Sequence, residues 1–158
     1  MLDTHARRQL LNQLMRHEGA RRDALGFHVP YRCTAGALTI GYGHNLDAKP
    51  VPGIGAQSRM SEDEAVSLLD KDVADAEHML RNGLHFVHAL DPVRYAVLVN
   101  MTFNLGIGGL LTFTNTLADI ERGDYAAASH RMLQSKWAAQ VGSRALELSR
   151  QMRTGAWS

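Results

Sequence analysis

Glu18 is the residue whose type and position most readily support catalysis. It follows Leu14 by four residues and Met15 by three, which places it on the apolar face of an N-terminal helix. It also lies in the last turn, where the helix dipole disfavours a negative charge. Burial and dipole both act to raise a carboxyl pKa, as a general acid working near neutrality requires. The competing reading is a carboxylate at the edge of the core, paired with Arg21 or Arg22. A second group of interest surrounds Thr39-Ile40-Gly41-Tyr42-Gly43-His44. Two β-leaning runs, Tyr31-Arg32-Cys33 and Leu38-Thr39-Ile40-Gly41-Tyr42, flank Thr34–Ala37 and predict a hairpin. With a three-residue loop centred on Gly36, Cys33 falls opposite Thr39, so that a thiol and a hydroxyl are presented on one face. Against this, a lone cysteine is a small hydrophobe as readily as a reagent. Gly-x-Gly alone is no more than a twisted strand end. His17, His28 and His44 raise the question of a metal, yet no histidine pair stands at ligand spacing, and no metal or cofactor is expected.

The elements that must position these groups show as periodicity and punctuation. Leu10, Leu11, Leu14 and Met15 predict a helix over residues 4–18, with Asp3 or Thr4 as its cap and Gly19 past its end. Residues 45–60, with Pro50, Pro52, Gly53 and Gly55, read mostly as loop. Ser61-Glu62-Asp63-Glu64 is a capping box that opens a long acidic helix stopping at Asn82-Gly83. Asp91-Pro92 starts another helix, whose run from Ala96 to Phe103 is apolar nearly all round and belongs at the centre of a helical lobe. Gly106, Gly108 and Gly109 should end it. Shorter helices are expected near Asn115–Arg122, Asp124–Gln134 and Ser143–Arg153. The fold class is therefore α+β and mainly helical, in one domain spanning 1–158. A β-containing lobe occupies about 19–60, a linking helix 61–83 and a larger helical lobe 84–158.

Composition sets the outer bounds. The 158 residues suit one compact domain, and 45% hydrophobic with 21% charged residues excludes a disordered or fibrous chain. A net charge of +1 gives no global case for nucleic acid or for stable membrane association. Cys33 is the only cysteine, so an internal disulfide and a Cys-rich zinc site are excluded. The N-terminus lacks the apolar stretch of a signal peptide, and Ala96–Met101 is too short to span a bilayer, so synthesis in the cytoplasm is expected. Residues 121–158 carry Arg122, Arg131, Lys136, Arg144, Arg150 and Arg153 against Glu121, Asp124 and Glu147. That excess is either a solvated helical face or a mild preference for an anionic polymer.

His17-Glu18-Gly19, then Tyr31 through Thr39-Ile40-Gly41-Tyr42-Gly43-His44-Asn45, resembles the N-terminal signature of the phage-type lysozymes, a glycoside hydrolase family that includes T-even phage lysozymes and prophage endolysins. The resemblance resumes at Leu69–Val73, at Arg94 with Asn100–Gly106, at Phe113-Thr114-Asn115, and from Ser135-Lys136-Trp137 through Gln140 and Arg144 to Arg153–Trp157. It implies a lysozyme-like fold and cleavage of the β-1,4 bond between N-acetylmuramic acid and N-acetylglucosamine in bacterial peptidoglycan. By the same resemblance Glu18 is the catalytic acid, Thr39 helps place the attacking water, and Cys33 stands where familiar members have aspartate. His44 and Asp72 match a buried structural ion pair, and Arg144 matches an arginine that approaches the acid. Asn45, Phe103, Thr116 and Arg131, with Asn104 beside them, match positions lining the saccharide cleft between the lobes.

Two departures matter. The segment between Glu18 and Cys33 is longer than usual, the extra residues lying within Ala20–Val29. It includes Asp23, a carboxylate available to replace the missing aspartate. A glycosidase's carboxylate pair is here a Glu and a Cys, and a free thiol has a pKa of about 8.5. As thiolate Cys33 can act as base or nucleophile; as thiol it can only order a water. The rival to a muramidase is a peptidoglycan-binding module of the same fold without turnover; a zinc amidase is a more distant one. The family resemblance further implies a monomer that is made in the host cytoplasm and acts on the periplasmic wall. Release would depend on a separate membrane-permeabilising partner.

Overall fold

The structure, a computed structural model, describes residues 2–158. Its fold is α+β and mainly helical. Among the described residues there are seven α-helices, a short 3-10 helix at His85–Ala89 and one three-stranded antiparallel sheet. The chain divides into two compact units. A sheet unit takes Leu11–Ala74, and a helical unit takes the chain before Leu11 together with Asp75–Ser158.

Helix α1, Thr4–Glu18, begins and ends on local chemistry. The Asp3 carboxylate accepts the Ala6 amide at 2.8 Å, satisfying one of the orphan donors at a helix start. Gly19 then turns the chain out at φ 64°, a left-handed conformation that costs glycine nothing. In between, Leu10 and Leu14 are fully buried.

The sheet order is β1 (Tyr31–Arg32), β2 (Leu38–Ile40) and β3 (His44–Asn45). Its register corrects the expected pairing. Tyr31, not Cys33, stands opposite Thr39. The Cys33 amide donates to the Ala37 carbonyl, so the loop is Thr34-Ala35-Gly36, centred on Ala35 rather than Gly36. Because side chains alternate along a strand, Tyr31, Cys33, Ala37 and Thr39 still share one face, with Cys33 diagonal to Thr39. The turn Gly41-Tyr42-Gly43 then delivers β3, a strand the apolar pattern does not announce.

The long segment before the hairpin is tied down. His28 bridges to Arg22 on one side and to Met60 on the other, exchanging backbone hydrogen bonds of 2.8 and 2.9 Å with Met60. Helix α2, Glu62–Gly83, follows directly. Its capping box closes both ways: the Glu64 amide donates to Ser61 Oγ at 3.1 Å, and the Ser61 amide donates to Glu64 Oε1 at 3.4 Å.

In the helical unit, α3 (Pro92–Leu111) starts on the Asp91 cap and buries every residue from Tyr95 to Thr102. Gly106 breaks the helical dihedrals at φ 73°, ψ 163°, but the helix resumes to Leu111, so the glycines interrupt α3 before they end it. Helices α4 (Thr114–Glu121), α5 (Tyr125–Leu133), α6 (Lys136–Val141) and α7 (Ser143–Thr154) complete the unit, with α7 packed on α5 and α3. Arg94 fastens the end of α7: its guanidinium donates to the carbonyls of Met152 at 2.7 Å and Arg153 at 3.0 Å, and lies 3.7 Å over the Tyr125 ring. Last-turn carbonyls with no partner of their own thus receive a cation.

Candidate active site

Glu18 closes α1 as a half-buried carboxylate, and the backbone of Gly43 lies directly against it. A Cβ added at Gly43 would meet Glu18 Oε2 at 2.8 Å, and Gly43 holds φ 82°. Any side chain there would both strain the turn and push the carboxylate away. The Gly-x-Gly motif is therefore a steric provision for Glu18 at its second glycine. The sequence displays that glycine without revealing its neighbour.

The same unit brings Cys33 and Thr39 to one hairpin face with Tyr31. The backbone amides of Ala37 and Ala35 hold the half-buried Cys33 thiol below its ordinary pKa, helped by the Thr39 hydroxyl and the Gly36 amide and opposed by burial. Thr39 is buried, and its hydroxyl donates to the Ala37 carbonyl at 3.0 Å. Since Thr39 owns a single hydroxyl proton, that proton serves the carbonyl when Cys33 is a thiol and the sulfur when it is a thiolate. Tyr31 was not singled out from the sequence. Burial first, then the charges of Glu18 and Cys33, push its phenol pKa up, so these three groups share one electrostatic environment. Its two-residue spacing from Cys33 is the sequence signal that would have found it.

Neither neighbouring arginine goes to Glu18. Arg22 donates to Glu62 at 2.6 Å and to the Tyr42 hydroxyl at 2.7 Å, while Arg21 lies 5.2 Å over the Tyr31 ring. Glu62 also receives His28 Nε2 at 3.1 Å and the Tyr42 hydroxyl. Burial pushes the Glu62 carboxyl up, but these hydrogen bonds outweigh it and bring its pKa to about 2. Asp23 is not a spare catalytic carboxylate. One oxygen accepts the Leu25 and Phe27 amides at 2.9 and 3.1 Å, and the other accepts Arg59 at 2.7 Å, so it organises its own loop.

His44 and Asp72 meet at 2.7 Å in a buried pair, and the second ring nitrogen of His44 contacts the Lys49 carbonyl at 2.7 Å. With an acceptor at each nitrogen the imidazolium is favoured, and the Asp72 hydrogen bond is the chief cause of a raised His44 pKa. Asn45 is exposed on β3, its side-chain carbonyl accepting the Ala48 amide at 2.9 Å.

The remaining expected positions belong to the helical unit. Phe103 is half-buried on α3, and the exposed Asn104 accepts the Trp137 indole N–H at 2.7 Å. Thr116, buried in the first turn of α4, and Arg131, whose Nε donates to the buried Asp119 at 2.6 Å, line one open groove of about 600 Å³ with Phe113 and Trp137. Phe103 and Asn104 are not among the residues lining that groove. Arg144 is buried and directs Nε and Nη2 to Asn100 Oδ1 at 3.1 and 2.8 Å. Asn100, the polar interruption in an apolar run, is thus explained by a partner 44 residues away. Among the described residues no cluster of three or more His, Cys, Asp or Glu side chains is arranged to hold a metal ion.

Comparison with known proteins agrees with this architecture. The family model described as phage lysozyme matches residues 16–153. A probable T4-type lysozyme of Dictyostelium discoideum is 27% identical over 79% of this chain and 85% of that protein. An endolysin of Acyrthosiphon pisum secondary endosymbiont phage 1 is 29% identical over 78% of this chain and 73% of that protein. The pre-baseplate central spike protein Gp5 of Enterobacteria phage T4 is 26% identical over 97% of this chain, which spans only 29% of the spike protein's length. With a family match covering most of its length and the Glu18 hairpin in place, the chain belongs to the phage lysozyme family.

Proposed function

We propose that the protein is a muramidase that hydrolyses the β-1,4 bond between N-acetylmuramic acid and N-acetylglucosamine in bacterial peptidoglycan. One observation carries this reading: a glutamate carboxyl is seated against the Gly43 backbone at the end of α1, in the same unit as the hairpin face that bears Cys33 and Thr39. Glu18 in its acid form gives its proton to the glycosidic oxygen as the bond to the anomeric carbon breaks. Positive charge then develops on the sugar, and a water adds to it. Cys33, with its thiolate favoured by the turn amides, takes the proton that this water releases, and the Thr39 hydroxyl orients the water. Asn45, Phe103, Asn104, Thr116 and Arg131 are proposed to hold the glycan, and Arg144 and the His44–Asp72 pair to support the two units that carry these groups. No cofactor enters the scheme.

The similarity to an endolysin and to a T4-type lysozyme supports a role in lysing a bacterial host. In that role the monomer is made in the host cytoplasm and reaches the wall once a separate partner has permeabilised the inner membrane. The test is Glu18→Gln on purified peptidoglycan. Release of reducing sugar should fall by about 10²–10⁴-fold, the usual worth of a general acid, while co-sedimentation with the wall persists. Undiminished release by Glu18→Gln overturns the assignment. A wild type that co-sediments without releasing sugar is a binding module instead.

A further inference from the structure

Arg21 is a cation that this scheme leaves without a task. It belongs to the longer segment between Glu18 and the hairpin, where its carbonyl accepts the Val29 amide at 3.0 Å and so fixes its place. Its side chain is exposed, and its guanidinium lies over the Tyr31 ring. Nearby arginines are matched to acids: Arg22 to Glu62, Arg59 to Asp23 and Arg32 to Asp47. Arg21 has no carboxylate partner among the described residues. Tyr31, beneath it, is the direct cross-strand partner of Thr39 and shares its face with Cys33. At 5.2 Å from the ring centroid the guanidinium is within cation–π range, and the exposed side chain keeps its N–H donors open to solution. That arrangement suits a carboxylate arriving from solution, which it can bind through two parallel hydrogen bonds.

Peptidoglycan supplies such a group. The lactyl ether of its muramic acid carries a short peptide with free carboxylates, beside the bond to be cut. We propose that Arg21 is a specificity-determining residue that receives a carboxylate of this peptide and so favours peptide-bearing glycan. The proposal rests on the muramidase reading and adds to it a preference within the substrate. It accounts for an exposed, unmatched cation on a tethered loop at the edge of the Glu18–Cys33–Thr39 cluster.

The experiment compares wild type, Arg21→Gln and Arg21→Lys on two substrates. One is peptidoglycan free of attached phosphate polymers; the other is the same material with its carboxylates capped as neutral amides. Wild type should show a KM about threefold higher on capped than on native material, with kcat unchanged, the scale expected of one exposed ion pair. Arg21→Gln should show the higher KM on both, and Arg21→Lys should retain part of the preference. Equal sensitivity of wild type and Arg21→Gln to capping overturns the proposal, as does a fall in kcat for Arg21→Gln on both substrates. Co-sedimentation with the two materials reads the same preference without turnover. A wild type that releases no sugar therefore overturns the muramidase reading alone, and the binding difference still decides the role of Arg21.

Discussion

The candidate catalytic groups of the sheet unit are held differently from two buried polar groups of the helical unit, Asn100 and Asp119. In the sheet unit, Glu18, Cys33 and Thr39 are surrounded by backbone: the Gly43 peptide lies against the carboxylate, the loop amides surround the thiol, and the Ala37 carbonyl receives the hydroxyl. In the helical unit, the buried Asn100 and Asp119 side chains instead receive arginines from other helices, Arg144 and Arg131. Backbone partners can be spoiled only by changing chain geometry, whereas side-chain partners can be deleted singly. Polar groups of the first kind are therefore suited to chemistry, and those of the second kind to fixing how helices pack.

The sharpest way to break this contrast is Gly43→Ala. The added methyl must displace the Glu18 carboxylate, and misplacement by an ångström costs on the order of 10² in rate. Sugar release should fall by about that factor, while urea unfolding registers a loss of about 1–2 kcal/mol from the positive φ. Asn100→Leu tests the other unit: removing the oxygen that faces buried Arg144 should cost about 2–3 kcal/mol by urea denaturation.

His44 predicts a pH dependence. Its folded pKa is raised, so its contribution is complete below its unfolded value of about 6.5 and is lost as pH rises through the folded value. Unfolding curves of His44→Gln should accordingly be flatter than those of wild type above pH ~6.5. The smallest effect belongs to Glu62→Gln, under about 1 kcal/mol, because the carboxylate is half exposed and its partners are screened. Its folded pKa is depressed to about 2, so wild type alone should lose that increment as pH falls from the ordinary 4.5 toward 2.

What the sequence made legible was local. Asp3, Gly19 and the Ser61–Glu64 box act within a few residues, and each stands where the one-dimensional pattern put it. Strand register was less accessible. Gly36 attracts attention as a loop centre, yet the Cys33–Ala37 hydrogen bond moves the centre by one residue and gives Thr39 to Tyr31. Helix α6 has six residues, too few to show a period, and the Gly106 break lies inside a helix rather than at its end. Glu18 was legible because a carboxyl on the apolar face of a helix is unusual, whereas Cys33 and Thr39 took their roles from the family resemblance, since a threonine in a strand is ordinary. The positions of Tyr31, Gly43 and Asn100 depend on neighbours distant in sequence, which no window along the chain can contain.

Cys33 has a practical consequence as well. The chain has one sulfhydryl, half-buried on the hairpin beside Thr39, with its thiolate favoured by the loop amides. A maleimide or methanethiosulfonate reagent therefore attaches a fluorophore or spin label at a single, known place. No background cysteines need to be removed first, and the alkylation rate followed against pH titrates that sulfur directly. Bound glycan that shields the hairpin would slow the same reaction, so one label serves as an occupancy gauge for the whole protein.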